Sequence, residues 1–577
     1  MSRHTTIVGV SFMVASLIGC GGSDHSSADS GLGGDGTTGS GGDAFSGEDG
    51  NGTSSGASSS GGSSGASSGG SGGGTDASQS TTDGGAQADA GAYDPSVYQH
   101  HKNGNRNGVY IDPVLTSGAM GNAATMHVLP GFMGTMTTAS YAQPLYVEKG
   151  VGGAETFIVA TEANHVTAFN ATTGATLWDQ GPTTYEPQVT GGLSCAGDIN
   201  PLGITGTPFI DPASPINNGA GVIYFDAMTT TNGNTTVKHL VYAVKLSDGT
   251  VLPNWPVDVG AKFSTFASKA QNQRGALQFL NGVLYVPYGG LDGDCGPYFG
   301  WVIGFPASNP QNPTAWHTMA PQGGIWGPGS LPTDGTSLFP VTGNTARGTT
   351  TWGGGEAVIR LGAGPTFSGA TADYYAPMAW QTMDTDDADL GGASELLVDL
   401  PGTSTPHLVV AGGKDSNLYI LNRDNLGGIG AQLFMQSMAT NQFKGAPVTY
   451  TTAKGTYVAF HVEGGTGTGC GGATQGNMVA IKITGGTGKP TASVAWCSSD
   501  NNLASPIVTT TDGTADAIVW NANDHLWGYD GDTGAKLFTD ANTEMSATIQ
   551  TWNTPIAIGK GRIAVAVNGQ IYVFSAP

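Results

Sequence analysis

Charge is scarce in this chain, and positive charge most of all. Only 11% of the 577 residues are charged, and 20 Lys plus Arg face 43 Asp plus Glu, a formal net charge of -23. A field of that sign repels phosphate backbones and anionic lipid surfaces, so nucleic acid is not an expected partner. Long amphipathic segments with a 3.6-residue period are missing too, and 95 glycines are far more than a helical enzyme carries. The five cysteines form no C-x-x-C or C-x-x-C-H, and no H-E-x-x-H occurs, so zinc, covalent haem and zincin chemistry lack their usual ligands. Two other motif matches fail on context. GASSG (65–69) fits G-x-S-x-G without a strand before it, and TGGTGKP (484–490) ends like a phosphate loop but has Pro490 where Ser or Thr would bind magnesium.

What is present begins with a leader. Arg3 and His4 precede IVGVSFMVASLIG, an apolar run too short to span a bilayer comfortably and patterned like the core of a signal peptide. The run ends in Leu17-Ile18-Gly19-Cys20, which resembles the bacterial lipobox. Residues 1–19 then read as a lipoprotein signal peptide and Cys20 as the lipidated N-terminus. That places the mature chain at the bacterial cell envelope, held to a membrane by its lipid. Residues 20–92 are almost wholly Gly, Ser, Asp, Ala and Thr, a composition that cannot bury a core and predicts a disordered tether. Its reach is roughly 45 Å, from 5 to 6 Å times the square root of about 70 residues.

Outside the cytoplasm the remaining cysteines, Cys195, Cys295, Cys470 and Cys497, are expected to pair. Cys470 with Cys497 is the favoured bridge, leaving Cys195 with Cys295, although spacing alone leaves all three connectivities open.

From residue 93 to 577 short β-branched and aromatic runs alternate with Gly, Pro, Asn and Asp clusters, which reads as all-β. Several runs end alike: VTAFNATTGATLW (166–178), LVYAVKLSDGTVLPNW (240–255), GWVIGF (300–305), AVIRLGAG (357–364), NLYILNRDNLGG (417–428), NMVAIKITGGTG (477–488), HLWGYDGDTGAKLF (525–538) and QIYVFSA (570–576). Copies at roughly 45 to 75 residues suit four-stranded blades, so an eight-bladed β-propeller is expected. The Asn/Asp and Gly of the clearest turns supply the positive φ of a tight hairpin, and Trp178 is expected to pack between blades. The final strand ends at the chain terminus and leaves one blade incomplete, a gap that NGVYID (107–112) could fill. His100-His101 reads as a solvated strand end.

AFNATTGATLW and YDGDTGAKLF resemble the repeats of the pyrroloquinoline quinone (PQQ) propeller proteins, and the resemblance covers nearly all of residues 100–577. It implies a quinoprotein-like eight-bladed propeller. The same family contains PQQ- and calcium-dependent dehydrogenases of alcohols and sugars, and also non-catalytic binding or assembly scaffolds of the envelope whose partners are proteins.

The dehydrogenase branch implies specific roles. GGIWGPGSLPTDGTSLFPVTGNT (323–345) is similar to a segment giving a tryptophan floor under the quinone and an asparagine ligand to calcium, here Trp326 and Asn344. DADLGGASELLVD (387–399) resembles the stretch with the catalytic aspartate, matching Asp389, and GGKDSNLYILNRDN (412–425) the one whose cation touches the quinone oxygens, matching Lys414. The carboxylate ligand of calcium falls in YGGLDGDCG (288–296), on Asp292 or Asp294, where the family has the longer Glu. A hard cation with oxygen ligands polarises a quinone carbonyl, and a carboxylate beside it takes the alcohol proton. SCAGDINPLG (194–203) departs from the family by keeping one cysteine of an adjacent pair, with no arginine following. Such a cation on a PQQ carboxylate is worth roughly 1.5 to 3 kcal/mol. Without the resemblance, Asn344 is a turn former, Trp326 is packing, and Asp384, Asp386, Asp387 and Asp389 are a solvated acidic loop or a structural calcium loop.

Overall fold

The computed structural model describes residues 93–120, 126–191, 193, 199–291, 294, 296–470, 477–498, 500, 502–539, 545, 549–550 and 552–576. The repeats form eight sheets, the blades of a β-propeller, which in chain order lie at 145–180, 209–258, 271–317, 341–376, 396–437, 443–497, 507–539 and 556–575. The longest helix among the described residues, Trp380–Asp386, has seven residues.

The repeat turn is built from its own side chains. Asn170 Oδ1 accepts the N–H groups of Thr172 and Thr173, each at 3.0 Å, and Asp530 Oδ1 accepts those of Asp532 and Thr533 at 3.1 and 2.9 Å. The glycines that close these turns, Gly174 and Gly534, have φ of 74° and 69°, conformations that other residues avoid. The tryptophans then reach across. Trp178 of blade 1 donates its indole N–H to the Leu246 carbonyl of blade 2 at 3.0 Å, and Trp496 of blade 6 to Gly531 of blade 7 at 2.9 Å. Each ring rests on a turn glycine of the next blade, since a Cβ at Gly249 would lie 2.8 Å from the Trp178 ring and one at Gly534 2.7 Å from the Trp496 ring. Between sheets the filling is apolar, as where Tyr224 and Trp255 of blade 2 share a cluster with Leu284, Trp301 and Phe305 of blade 3.

Ring closure differs from the sequence expectation. Residues 107–112 do not complete the last blade; Val109–Ile111 pairs in parallel with the innermost strand of blade 7. The last blade is completed on its outer side by His127–Val128 and Gly134–Thr135, antiparallel to Gln570–Ser575. The open edge there belongs to the final strand, which needs a partner running against it, and 107–112 lies on the channel side instead.

The segment leading to Val109 touches every blade. Val97 bridges Tyr146, Tyr98 O accepts from Ile210 N, Gly104 O from Thr333 N, Asn105 O from Leu397 N, Asn107 O from Thr449 N and Gly108 O from Val508 N. Arg106 donates to the Leu277 carbonyl of blade 3 at 3.0 Å, and Asp112 accepts from Gly561 N of blade 8 at 3.1 Å. His100 and His101 belong to this run and are not solvated: they are 1% and 0% exposed, with ring centroids 4.3 Å apart. Burial drives both imidazoles towards the neutral form, His101 down to about 3. Cys470 and Cys497 form a disulfide, Cα to Cα 6.2 Å, joining the loop after the second strand of blade 6 to the end of its outer strand. Cys20, Cys195 and Cys295 lie outside the described residues.

Candidate active site

Blades 3, 4 and 5 bring the sequence candidates together through their loops. Asp294 lies in the turn after Val283–Gly290 of blade 3 and Lys414 in the turn after His407–Gly412 of blade 5. Trp326 and Asn344 sit on paired segments of blade 4, where Gly343 N donates to Gly324 O at 2.9 Å and Gly323 N to Asn344 O at 2.7 Å. Asp389 precedes the first strand of blade 5, Leu396–Asp399. In an up-and-down blade the turn after the second strand and the lead into the first share one end, so all five residues face the same mouth of the ring.

Asp389 is the hub. It is 3% exposed; its Oδ1 accepts the Asn344 N–H at 2.7 Å and its Oδ2 meets Lys414 Nζ at 2.6 Å. Lys414 also meets Asp387 Oδ2 at 2.9 Å. Burial alone would lower the Lys414 ammonium, but the two carboxylates outweigh it and hold it above its ordinary range. Trp326 lies beside this group, because a Cβ on Gly343 would be 2.4 Å from both its ring and Asp389 Oδ1. The indole N–H donates to Gly290 O at 2.9 Å, and Gly289, Gly324 and Gly343 all pack on the ring. Asp294 belongs to the same field: burial raises its carboxyl, the charges of Asp389 and Asp387 raise it further, and the Tyr298 hydroxyl, 2.5 Å away, and Lys414 oppose the rise.

Asn344 uses its backbone and its side chain differently. Its backbone shapes the turn, while its side-chain Oδ1 is buried with no hydrogen-bond partner, an acceptor left for something else. Among the described residues no three His, Cys, Asp or Glu side chains gather as a metal site. A cation here would therefore combine Asn344 Oδ1 and Asp294 with oxygens of a bound ligand. Asp292 lies outside the described residues.

The acidic loop is not solvated throughout. Asp384 is 2% exposed and accepts from Thr345 N at 2.8 Å and from the Thr345 hydroxyl at 2.9 Å, which locks the turn that carries Asn344. Burial raises its carboxyl to about 6, with the Asp389 charge adding to the rise. Sequence reasoning missed three groups. Glu356, fully buried, accepts the Leu390 N–H at 2.6 Å, and burial together with the Asp389 charge pushes its carboxyl far up. Tyr298 caps Asp294. Arg274, from the loop between Gln271–Asn272 and Gln278–Leu280 of blade 3, donates to the Trp326 carbonyl at 3.1 Å and lies 4.7 Å over the Trp552 ring. That puts a cation beside Trp326 from a loop distant in sequence from the arginine-less 194–203 segment. The only local signal for Arg274 is an isolated cation in an acidic chain.

No protein-family model matches the chain, and no curated protein sequence matches it. Solved structures do. A quinohemoprotein alcohol dehydrogenase from Comamonas testosteroni superposes with a TM-score of 0.55 at 13% identity, over 83% of this chain and 80% of that one. A europium-containing methanol dehydrogenase gives 0.55 at 12% identity, over 82% of this chain and 91% of that one. BamB from Moraxella catarrhalis gives 0.41 at 14% identity, over 78% and 96%. At these identities the first two likenesses establish the eight-bladed quinoprotein-like fold and leave the chemistry to the site.

Proposed function

We propose that this propeller is a PQQ- and calcium-dependent dehydrogenase of alcohols or sugars, lipid-anchored through Cys20 at the bacterial cell envelope. The observation that carries the reading is the meeting of Trp326, Asn344, Asp389, Lys414 and Asp294 at one mouth, with the buried Asn344 Oδ1 lacking a partner. The donor set fits the cofactors: hard oxygens for calcium, an aromatic plane for a flat ring, and Lys414 and Arg274 for anionic oxygens. Two proteins of the same fold are named as alcohol and methanol dehydrogenases, which agrees with this reading.

In it Trp326 is the floor, Asn344 Oδ1 with Asp294 or Asp292 holds calcium, Lys414 faces the quinone oxygens, and Arg274 supplies the carboxylate contact that the 194–203 segment lacks. When bound, PQQ would supply the acceptor for the hydride, which carries both electrons away from the alcohol carbon. Asp389 accepts the hydroxyl proton, its Oδ1 fixed by the Asn344 N–H and its Oδ2 released as Lys414 turns to the ligand while keeping Asp387. The sequence has no C-x-x-C-H motif, so the electrons pass to an external acceptor.

The test is a dye-linked assay of the purified protein with PQQ, calcium and a panel of alcohols and sugars. Turnover that disappears with Asp389→Asn supports the proposal. A second reading, a non-catalytic protein-binding or assembly propeller with a vestigial cofactor site, draws support from the internal neutralisation of Asp389 by Lys414; it is favoured if neither quinone uptake nor turnover is found. The anchor is tested separately, since Cys20→Ala should release the protein from the membrane fraction.

A further inference from the structure

Away from Asp389, a second group of buried oxygens lines the first three blades. Glu162 and Asn164 lie in the turn between the blade 1 strands Thr156–Ala160 and Val166–Asn170. Both meet the lead into blade 2: Glu162 Oε2 accepts Gly203 N–H at 2.7 Å, and a Cβ on Gly203 would be 2.4 Å from Asn164 Oδ1. Two residues on, Thr205 bears on the same Glu162 carboxyl. At Gly206 an added Cβ would lie 2.4 Å from the Gln273 amide of blade 3. Glu162, Asn164, Thr205 and Gln273 are 1%, 0%, 3% and 3% exposed.

Backbone bonds fix the polarity of each group. Asn164 Nδ2 donates to Glu186 O and Met228 O, both at 3.1 Å, and Gln273 Nε2 donates to Gly275 O at 2.5 Å. Their amide oxygens are thereby turned the other way. Glu162 Oε1, Asn164 Oδ1 and Gln273 Oε1 are then buried acceptors with no donor. Among these side chains only the Thr205 hydroxyl is left as a donor, one hydrogen for three acceptors. A hard cation satisfies several oxygens at once and restores a charge partner to the carboxylate.

We propose that Glu162, Asn164 and Gln273, with Thr205 beside them, form a cation site of the calcium or alkali-metal class, built by the loops of blades 1 to 3 from none of the residues grouped around Asp389. Burial raises the Glu162 carboxyl to about 7, with the Gly203 N–H and the Thr205 hydroxyl opposing the rise.

The test uses full-length protein carrying Asn344→Ala, which removes a ligand of the other candidate cation position. Calcium, potassium and sodium chlorides are titrated separately, following thermal midpoint and ion retention after dialysis. One of these cations should raise the midpoint by a few degrees at about a hundredfold excess over its Kd and stay bound near one ion per chain. Adding Glu162→Gln should abolish both signals, and Gln273→Met should weaken binding about tenfold, a loss of one acceptor contact. Should Glu162→Gln fail to fold, retention by the Asn344→Ala protein and its loss of affinity with Gln273→Met still decide the matter. No shift and no retained ion with any of the three salts overturns the proposal, as does binding that survives both substitutions.

Discussion

Blade 1 and blade 4 are copies of one unit put to different uses. In blade 1 the repeat turn spends its polar groups locally: Asn170 closes its own turn and Trp178 bonds the neighbouring blade. In blade 4 the corresponding turn, around Gly362 and Thr366, has no tryptophan after it, and the outer strand Tyr374–Ala376 pairs with Gly428–Ile429, a strand that follows the third strand of blade 5 in sequence. There Asn344 Oδ1 and Glu356 Oε1 remain buried without partners. A repeat turn that closes on its own side chains serves stability, and buried acceptors left open, as at Asn344, mark where stability is given up for binding.

The sharpest way to break this comparison is to exchange the consequences. Trp496→Ala, in a regular blade, empties a buried interlock and should cost about 3 kcal/mol, read as a lower unfolding midpoint in denaturant with unchanged quinone affinity. Gly343→Ala should strike the site as well as the fold. Its new methyl would press on Asp389 Oδ1 and Trp326, costing about 1 to 3 kcal/mol by overpacking and abolishing ligand binding in a fluorescence titration of the tryptophans. Asn344→Ala should weaken calcium-dependent quinone binding about tenfold or more while leaving the unfolding midpoint unchanged or slightly higher, since an unsatisfied acceptor disappears.

The smallest effect concerns pH and neither blade. Glu395 is fully buried, and burial raises its carboxyl to about 8, opposed by a backbone N–H and by Arg106. Unfolded, it loses its proton near the ordinary 4.5, so between those values the folded state holds the extra proton and stability falls as pH rises. Measured by thermal unfolding from about pH 6.5, the ordinary histidine pKa, up to 8, Glu395→Gln should flatten that fall.

Much of the fold was legible because its signals are local. The Asn/Asp and Gly of the turn and the tryptophan after it specify a hairpin and its contact with the next blade within a dozen residues. The order Trp326, Asn344, Asp389, Lys414 was likewise carried by short segments that resemble a known family. What the sequence did not reveal is long-range. Arg274 reaches Trp326 across 52 positions, Asp384 locks Thr345 across 39, and the run from Val97 to Asp112 visits every blade through backbone groups that no side-chain pattern announces. His100 and His101 were misread for that reason: a polar pair near the start of a domain looks solvated until the chain is seen threading the interior.

The central claim is that the loops of blades 3, 4 and 5 hold one ligand between them. Calorimetric titration of the purified protein with PQQ, with calcium present and then chelated, tests it most directly. The account predicts micromolar binding that requires calcium and is lost in Asn344→Ala and Trp326→Ala; absence of heat with calcium present, or binding indifferent to both substitutions, would contradict it.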